Sequence, residues 1–452
     1  MSLFNTLSTG ASGLGSASMA LGVIGDNIAN IGTTGFKGAT AQFADNFTQN
    51  VAGLSSFGQL GSGSRLGDVA IDYGQGSLAA SNSSLDVAIV GQGFFQVADA
   101  TGSPYYSRDG SFHLDPDSYL VNSGGLRLQG FQALNGVIAS TVGDIQVDPA
   151  GLSQQETANI DLTANLDPSA LADDALALLK LATPFDGTVA APTLATVDAA
   201  SDWATSVTVF DSLGVAHDVT LFFEKAALPA PAGTWNVTAA VDGGEVDTNG
   251  DGAADGVPGS AFEIGTTTLT FDTNGDLLTN TGMTAPGGWT FPGASNFAPT
   301  FNFGLDAAGV PTPGRMTQAS NASYLTAVAQ DGYATGDLDS LVVDPDGTIR
   351  ALYSNGEDQA LGQLVLATFA SNSGLERLGS NLYAASLASG DAALDAAGAG
   401  GRGTTSGFAL ESSNVDLEDQ FVSMIQSQRS YQANTGVIQA ANEALQGLIQ
   451  LV

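Results

Sequence analysis

The chain of 452 residues contains no cysteine, two histidines and three lysines. Without thiols it has no disulfide framework and no cysteine nucleophile, and such a chain suits either side of a membrane. Eleven basic residues against 46 acidic ones leave a net charge of −35. That balance argues against nucleic acid, whose phosphates attract Lys and Arg, and against anionic membrane surfaces. No unbroken run of about 20 apolar residues occurs, so membrane insertion is not expected. The N-terminus, MSLFNTLSTGASGLGSASMA, lacks the basic start and continuous apolar segment of a secretory signal peptide. Aromatic residues are few and glycines number 58, yet 43% apolar residues are enough to fill real cores. The length suits roughly three domains.

The charge is unevenly placed. The first 75 residues and the last 45 are nearly neutral, and the 332 between them hold −29. Both ends carry seven-residue apolar series. Leu7, Leu14, Leu21 and Ile28 form one; Leu3, Ala17, Ile24 and Ile31 form a second, interrupted by Gly10. At the other end Leu417, Met424, Tyr431, Ile438, Leu445 and Val452 repeat without a miss. Their companion series, Phe421, Gln428, Thr435, Asn442 and Ile449, is half polar, which costs stability but specifies register. Asn414 or Asp416 offers an N-cap, and Asp419 lies in the first turn where the helix dipole favours negative charge. Glycines at 10, 13, 15, 22 and 25 each weaken a lone helix by about 1 kcal/mol relative to alanine. The first helix is therefore expected to form only against neighbours, with the glycines as candidate packing contacts.

Between the ends the signals are alternation and tight turns. LDVAIVGQGFFQV (85–97), GSFHLDPDSYLVN (110–122), GLRLQGF (125–131), TLTFDTNGDLL (268–278), LVVDPDGTIRALY (341–353) and LGQLVLATF (361–369) read as strands and hairpins. Residues 204–225 and 234–241 add further strands, and SALADDALALLKLA (169–182) a helix. The fold class expected is mixed and mainly β. Terminal helices pack as a coiled-coil layer, with nested β domains between them. Residues 1–33 and 408–452 form the helical domain, 34–78 a connecting linker, and 79–148 with 326–387 a middle β domain. Residues 149–325 form an inserted outer β domain, and 388–407, rich in glycine, a return linker.

Chemistry is sparse. No nucleophile–base–acid set presents itself around His113 or His217, so no enzymatic activity is expected. EVDTNGDGAADG places Asp247, Asn249, Asp251 and Asp255 at calcium-loop spacing, with Gly252 as the opening glycine. Pro258 stands where the bidentate Glu belongs, so an acidic loop tip is the simpler reading and calcium the sole candidate cofactor. NIANIGTTGFKG (27–38) looks like a phosphate-binding turn, but Phe36 separates Gly35 from Lys37 and the P-loop spacing fails. It reads instead as a helix-end junction of Asn27, Asn30, Gly32, Thr34, Gly35, Phe36 and Lys37. There the glycines turn the chain out of the helical layer, Phe36 anchors it and Lys37 pairs with an acid of a neighbouring molecule.

NIANIGTTGFK resembles the N-terminal signature of the bacterial flagellar rod and hook protein family. LDVAIVGQGFFQV, YYSRDGSFHLD and LVNSGGLRLQGF resemble its next blocks, and LESSNVDLEDQFVSMIQSQRSYQAN its C-terminal helix motif. The length, the inserted outer domain and SVTVFDSLGVAHDVTLFF are similar to the hook branch. The resemblance implies a subunit of a flexible extracellular tube that carries torque from rod to filament. Its terminal helices would line the tube, and its partners would be further copies, distal rod and hook–filament junction proteins, the hook cap and the flagellar type III export apparatus. A distal rod or hook–filament junction protein is the alternative within the family. A calcium-stabilised surface-layer or adhesin protein is the alternative outside it.

Overall fold

A computed structural model describes residues 3–46, 49–50, 59–134, 136–147, 151–182, 186, 191–227, 231, 233–283, 289–295, 297–304 and 315–450. The chain is mainly β with helical ends. Its four α-helices among these residues are α1 (Leu3–Ala29), α2 (Ala175–Ala182), α3 (Leu194–Ala200) and α4 (Leu417–Gln450). Packing divides it into two compact units.

The first unit comprises Met1–Pro149, Asp339–Leu352 and Asp358–Val452. Its centre is a twelve-stranded sheet that alternates segments from both halves of the chain, with Asp358–Thr368 between Thr348–Tyr353 and Arg127–Leu134. LVLATF is a continuous apolar run, and Leu364, Val365, Leu366 and Ala367 are all buried, so this strand is covered on both faces. Phe94, Tyr106 and Tyr383 close the core around Ala367. Turns fall where Asp-Pro-Asp and Asn-Gly were expected: the Asp115 carboxylate accepts from the amides of Asp117 and Tyr119.

Both segments read as linkers carry strands instead. Ala39–Asp45 pairs antiparallel with Ser64–Ile71, Ala393–Ala396 with the 365–368 edge, and Thr404–Gly407 with Val87–Val90. Their glycine and serine content lowers intrinsic strand preference, but pairing, within the same segment for Ala39–Asp45 and with distant strands for 393–396 and 404–407, supplies the backbone hydrogen bonds that composition does not reveal.

The second unit comprises Ala150–Leu338 and Tyr353–Glu357. A five-stranded antiparallel sheet runs through Trp203–Phe210, Ala216–Lys225, Thr234–Asp242, Ala261–Phe271 and Leu277–Asn280 in sequence order. One face buries Val207, Val219, Leu221, Phe223 and Trp235. The other is covered where Leu176 of α2 and Val197 of α3 meet Phe222 and Ala240. The helix expected over 169–182 starts only at Ala175, because Asp167 and Asp173 turn the preceding chain by accepting from Ser169 and Ala175 amides. α3, capped by Thr193, was not legible as a helix.

One exclusion needs correction. Thr6–Ala29 reaches a mean hydropathy of 1.2 and is long and apolar enough to cross a bilayer by length and composition alone. Interspersed small residues raise the average without making a continuous apolar run. Here the helix packs against α4, which exposes Glu418, Asp419, Arg429 and Glu443, the surface of a helix facing water.

Candidate functional site

α1 and α4 lie antiparallel, since Gly10 meets Ile438, Gly13 meets Asn434 and Asn27 meets Gln420. The first apolar series turns inward as expected: Leu7, Leu14, Leu21 and Ile28 are half-buried, and Ala17 and Ile24 are buried. Ile31 lies beyond the helix end and is exposed. The C-terminal series splits. Met424, Ile438 and Leu445 are half-buried, whereas Leu417, Phe421 and Tyr431 are exposed. Gln420, Asn434 and the buried Ala441 take the places facing α1. The facing surface of α1 decides which side of α4 is covered, and it takes the small Ala441 and the polar Gln420 and Asn434 there. The side chains of Leu3 and Ile449, and the whole of Val452, lie outside the described residues.

The glycines divide as well. A Cβ on Gly13 would stand 2.7 Å from the Asn434 amide, and one on Gly10 3.0 Å from Ile438, but Gly15, Gly22 and Gly25 face open space. The result is a close helix pair with an unpartnered apolar stripe on α4, formed by Leu417, Phe421, Val422 and Ile425. Asp416 is the N-cap, accepting from the amides of Glu418 and Asp419.

The junction residues converge. The Asn27 side chain is buried, donating to the Ala39 carbonyl at 2.7 Å and accepting from its amide at 2.9 Å. Asn30 donates to Asp26, and Thr33 donates to Asn30. Asn381 donates to the Thr34 carbonyl. Gly35 takes φ +68° against the Arg108 backbone, where any Cβ would collide. Gly32 has no such requirement and faces open space. Phe36 is buried beneath the Arg377 guanidinium, 4.7 Å from its ring centre.

Lys37 corrects the expectation most sharply. It is fully buried and pairs within its own chain, 2.5 Å from Glu411 Oε1, while donating to the Gly74 carbonyl at 2.7 Å. Glu411 Oε1 also accepts from the Gly76 amide, and its Oε2 accepts from Arg108 Nη1 at 3.1 Å. Burial pushes the Lys37 ammonium below the usual lysine range, and the bond to Glu411 opposes that shift. Asn414 adds a tie, accepting from Gly38 and donating to the Asp72 carbonyl. Glu411, Asn414 and Arg108 were missed as site residues. They sit within the motif blocks, but pairs more than 300 residues apart have no periodicity to betray them. The usable signal was scarcity: a lysine amid nearly neutral ends needs a buried anion.

The calcium-loop residues spend their oxygens locally. Asp247 accepts from the amides of Asn249, Gly250 and Gly252, Asn249 from that of Asp251, and Asp251 from that of Ala253. Asp255 accepts from Thr248. Burial works to raise the Asp247 carboxyl, but the loop amides hold it below the usual carboxylate range. Among the described residues no three His, Asp or Glu side chains are grouped to hold a metal. His113 is exposed. His217 is stacked on Phe291, with Nδ1 2.9 Å from Glu245 and Nε2 3.4 Å from Asp211. Both ring nitrogens are thus committed to carboxylates.

Comparison with known proteins covers the chain almost end to end. Residues 7–37 match the model of the flagella basal body rod protein, 88–161 that of the flagellar hook protein FlgE/F/G D1 domain, 182–333 that of the flagellar basal body protein FlaE D2 domain, and 407–451 that of the flagellar basal body rod FlgEFG protein C-terminal region. The chain is 36% identical over 449 residues to the flagellar hook protein FlgE of Escherichia coli strain K12, covering 98% of this chain and 99% of that one. It is 36% identical to the hook protein of Salmonella typhimurium over 99% of this chain and 100% of the other. With the hook protein of Treponema pallidum the identity is 31%, again over 99% and 100%. In structure it is similar to the crystal structure of Helicobacter pylori flagellar hook protein FlgE2, with a TM-score of 0.51 at 13% identity, covering 72% of this chain and 98% of the other.

Proposed function

The chain belongs to the flagellar hook protein family, and from that premise we propose that it polymerises through its terminal helices into a tube that carries torque outside the cell. The observation that carries this reading is the α1–α4 pair with Leu417, Phe421, Val422 and Ile425 left exposed. Four large apolar side chains close together on one helix form a surface that another molecule can cover. A further copy is the natural occupant, because every subunit of a helical polymer offers the same pair to its neighbour. The finer partners follow from the same position: distal rod at one end, hook–filament junction and cap at the other, and the flagellar export apparatus as the route out. The role is mechanical, with no turnover.

The test is electron microscopy of the purified full chain beside the triple variant L417S/F421S/I425S. All three side chains are exposed in the single subunit, so folding should survive. Tubes from the parent and monomers from the variant are expected; tubes of equal number and length from both would overturn the reading.

A further inference from the structure

Resting on the reading of the chain as a polymer subunit, we propose that Glu411 is a positioning residue for assembly. It sets the register at which α1 and α4 are joined, and with it the surface that the pair offers to the next subunit. The seam between the helices sets the register only in part. Gly10 meets Ile438 and Gly13 meets Asn434, among the half-buried Leu7, Leu14, Leu21 and Ile28 of one helix and Met424 and Leu445 of the other. Apolar contacts repeated every seven residues fix the face that each helix turns to its partner, and the polar Asn434 adds to the choice of register.

The ends of the helices are tied far more specifically. Glu411 stands five residues before the Asp416 cap, and Lys37 eight residues after Ala29, the last residue of α1. The Glu411 side chain is fully buried and receives Lys37, Arg108 and the Gly76 amide, while its backbone carbonyl accepts from Gly35 at 2.7 Å. One residue of the C-terminal segment thereby holds three separate stretches: the exit from α1, the 74–76 turn and the 108 corner of the β core. Asn414 against Gly38, and Gln420 against Asn27, continue the ties up to the helices. Only one arrangement of the two ends satisfies all of these groups. A slip by one residue would leave two cations and one anion buried without partners, which is far costlier than any loss along the seam.

The hub is also asymmetric. Two cations share one carboxylate, so removing Lys37 leaves the Arg108–Glu411 pair intact, whereas removing Glu411 strands both cations. Glu411→Gln should therefore exceed Lys37→Met in effect.

The experiment adds full-length variants to preformed parent tubes and reads the elongation rate, beside thermal melting of the β units. E411Q is expected to slow elongation by about tenfold or more, with K37M slowed less. The triple variant K37M/R108M/E411M removes every charge of the hub. It is expected to melt like the parent yet still elongate slowly, because apolar packing can replace the stability of buried ions without their geometry. Parent-like elongation by the triple variant, or by E411Q, would overturn the proposal. Failure of the parent itself to add to tubes would instead sink the polymer reading. The register is then read by spin labels at M19C and E443C, sites free of competition in a chain without cysteine. A broadened distance distribution in E411Q would support the proposal, and an unchanged one would overturn it.

Discussion

Gly10 of α1 lies so close to Ile438 of α4 that a Cβ built on it would stand 3.0 Å from Ile438 Cγ1. The two helix backbones approach there because one of them has no side chain. Gly15, five residues on, has nothing within 4 Å of the same position. Gly10→Val should therefore push the helices apart and lower the stability of the pair by about 1–3 kcal/mol, the usual range for overpacking. Gly15→Ala should raise it by up to about 1 kcal/mol through helix propensity. Circular dichroism melts of the two full-length variants check both signs, and equal effects would remove the distinction.

Asn27 is a second sharp point. Its amide serves both the carbonyl and the amide of Ala39 from a buried position. Asn27→Ala would leave two backbone groups unpaired, and the expected loss is about 2–4 kcal/mol. Chemical unfolding of the first unit measures it. A loss below about 0.5 kcal/mol, the scale of an ordinary surface change, would contradict the assignment.

Glu224 predicts a pH dependence. It is buried on the second unit's sheet and accepts from the Leu176 amide. Burial, helped by the nearby Asp174 and Asp173, pushes its carboxyl up from 4.5 to about 7. The folded state then holds a proton that the unfolded state releases. Stability from this group is complete below pH 4.5, falls as pH rises, and levels off above about 7. The total loss is about 3 kcal/mol. In Glu224→Gln that fall should vanish, leaving the variant more stable than the parent at pH 8. Urea melts at pH 5 and pH 8 decide it, and parallel pH profiles for the two proteins would refute it.

The 247–255 loop is held by its own amides, and position 12 of the calcium pattern is Pro258. We expect calorimetric titration with calcium chloride to give no saturable heat. A saturable heat that disappears in Asp251→Ala would establish a calcium site instead.

Subunits carrying −35 repel one another in a polymer. Assembly should strengthen as salt screens that repulsion. The critical concentration measured from low to high salt tests this, and a flat response would be evidence against it.

Much of the fold was open to inspection in the primary structure, for local reasons. The continuous apolar run of LVLATF, the turn chemistry of LDPDSYL and the apolar series of Leu7 to Ile28 are each written in neighbouring residues. The linkers misled because glycine-rich composition describes the chain alone, while the strand at 39–45 pairs with 64–71 of the same segment and that at 404–407 with 87–90. The C-terminal series misled for a related reason: Phe421 and Ala441 exchange the places their hydrophobicity suggests, since the facing surface of α1 decides which side of α4 is covered.

At the junction the division is plainest. The amino-acid order alone determined that α1 would end near Ile31, that a turn would follow, and that Lys37 would need an anion in nearly neutral surroundings. Which anion was decided only by the tertiary structure. Glu411 is 374 residues away in the chain. Only folding that brings the 409–411 strand beside 78–80 can place that carboxylate against Lys37 and Arg108. Local chemistry acts over a few residues, whereas the pairing of buried charges is settled by whichever segments the β core brings together.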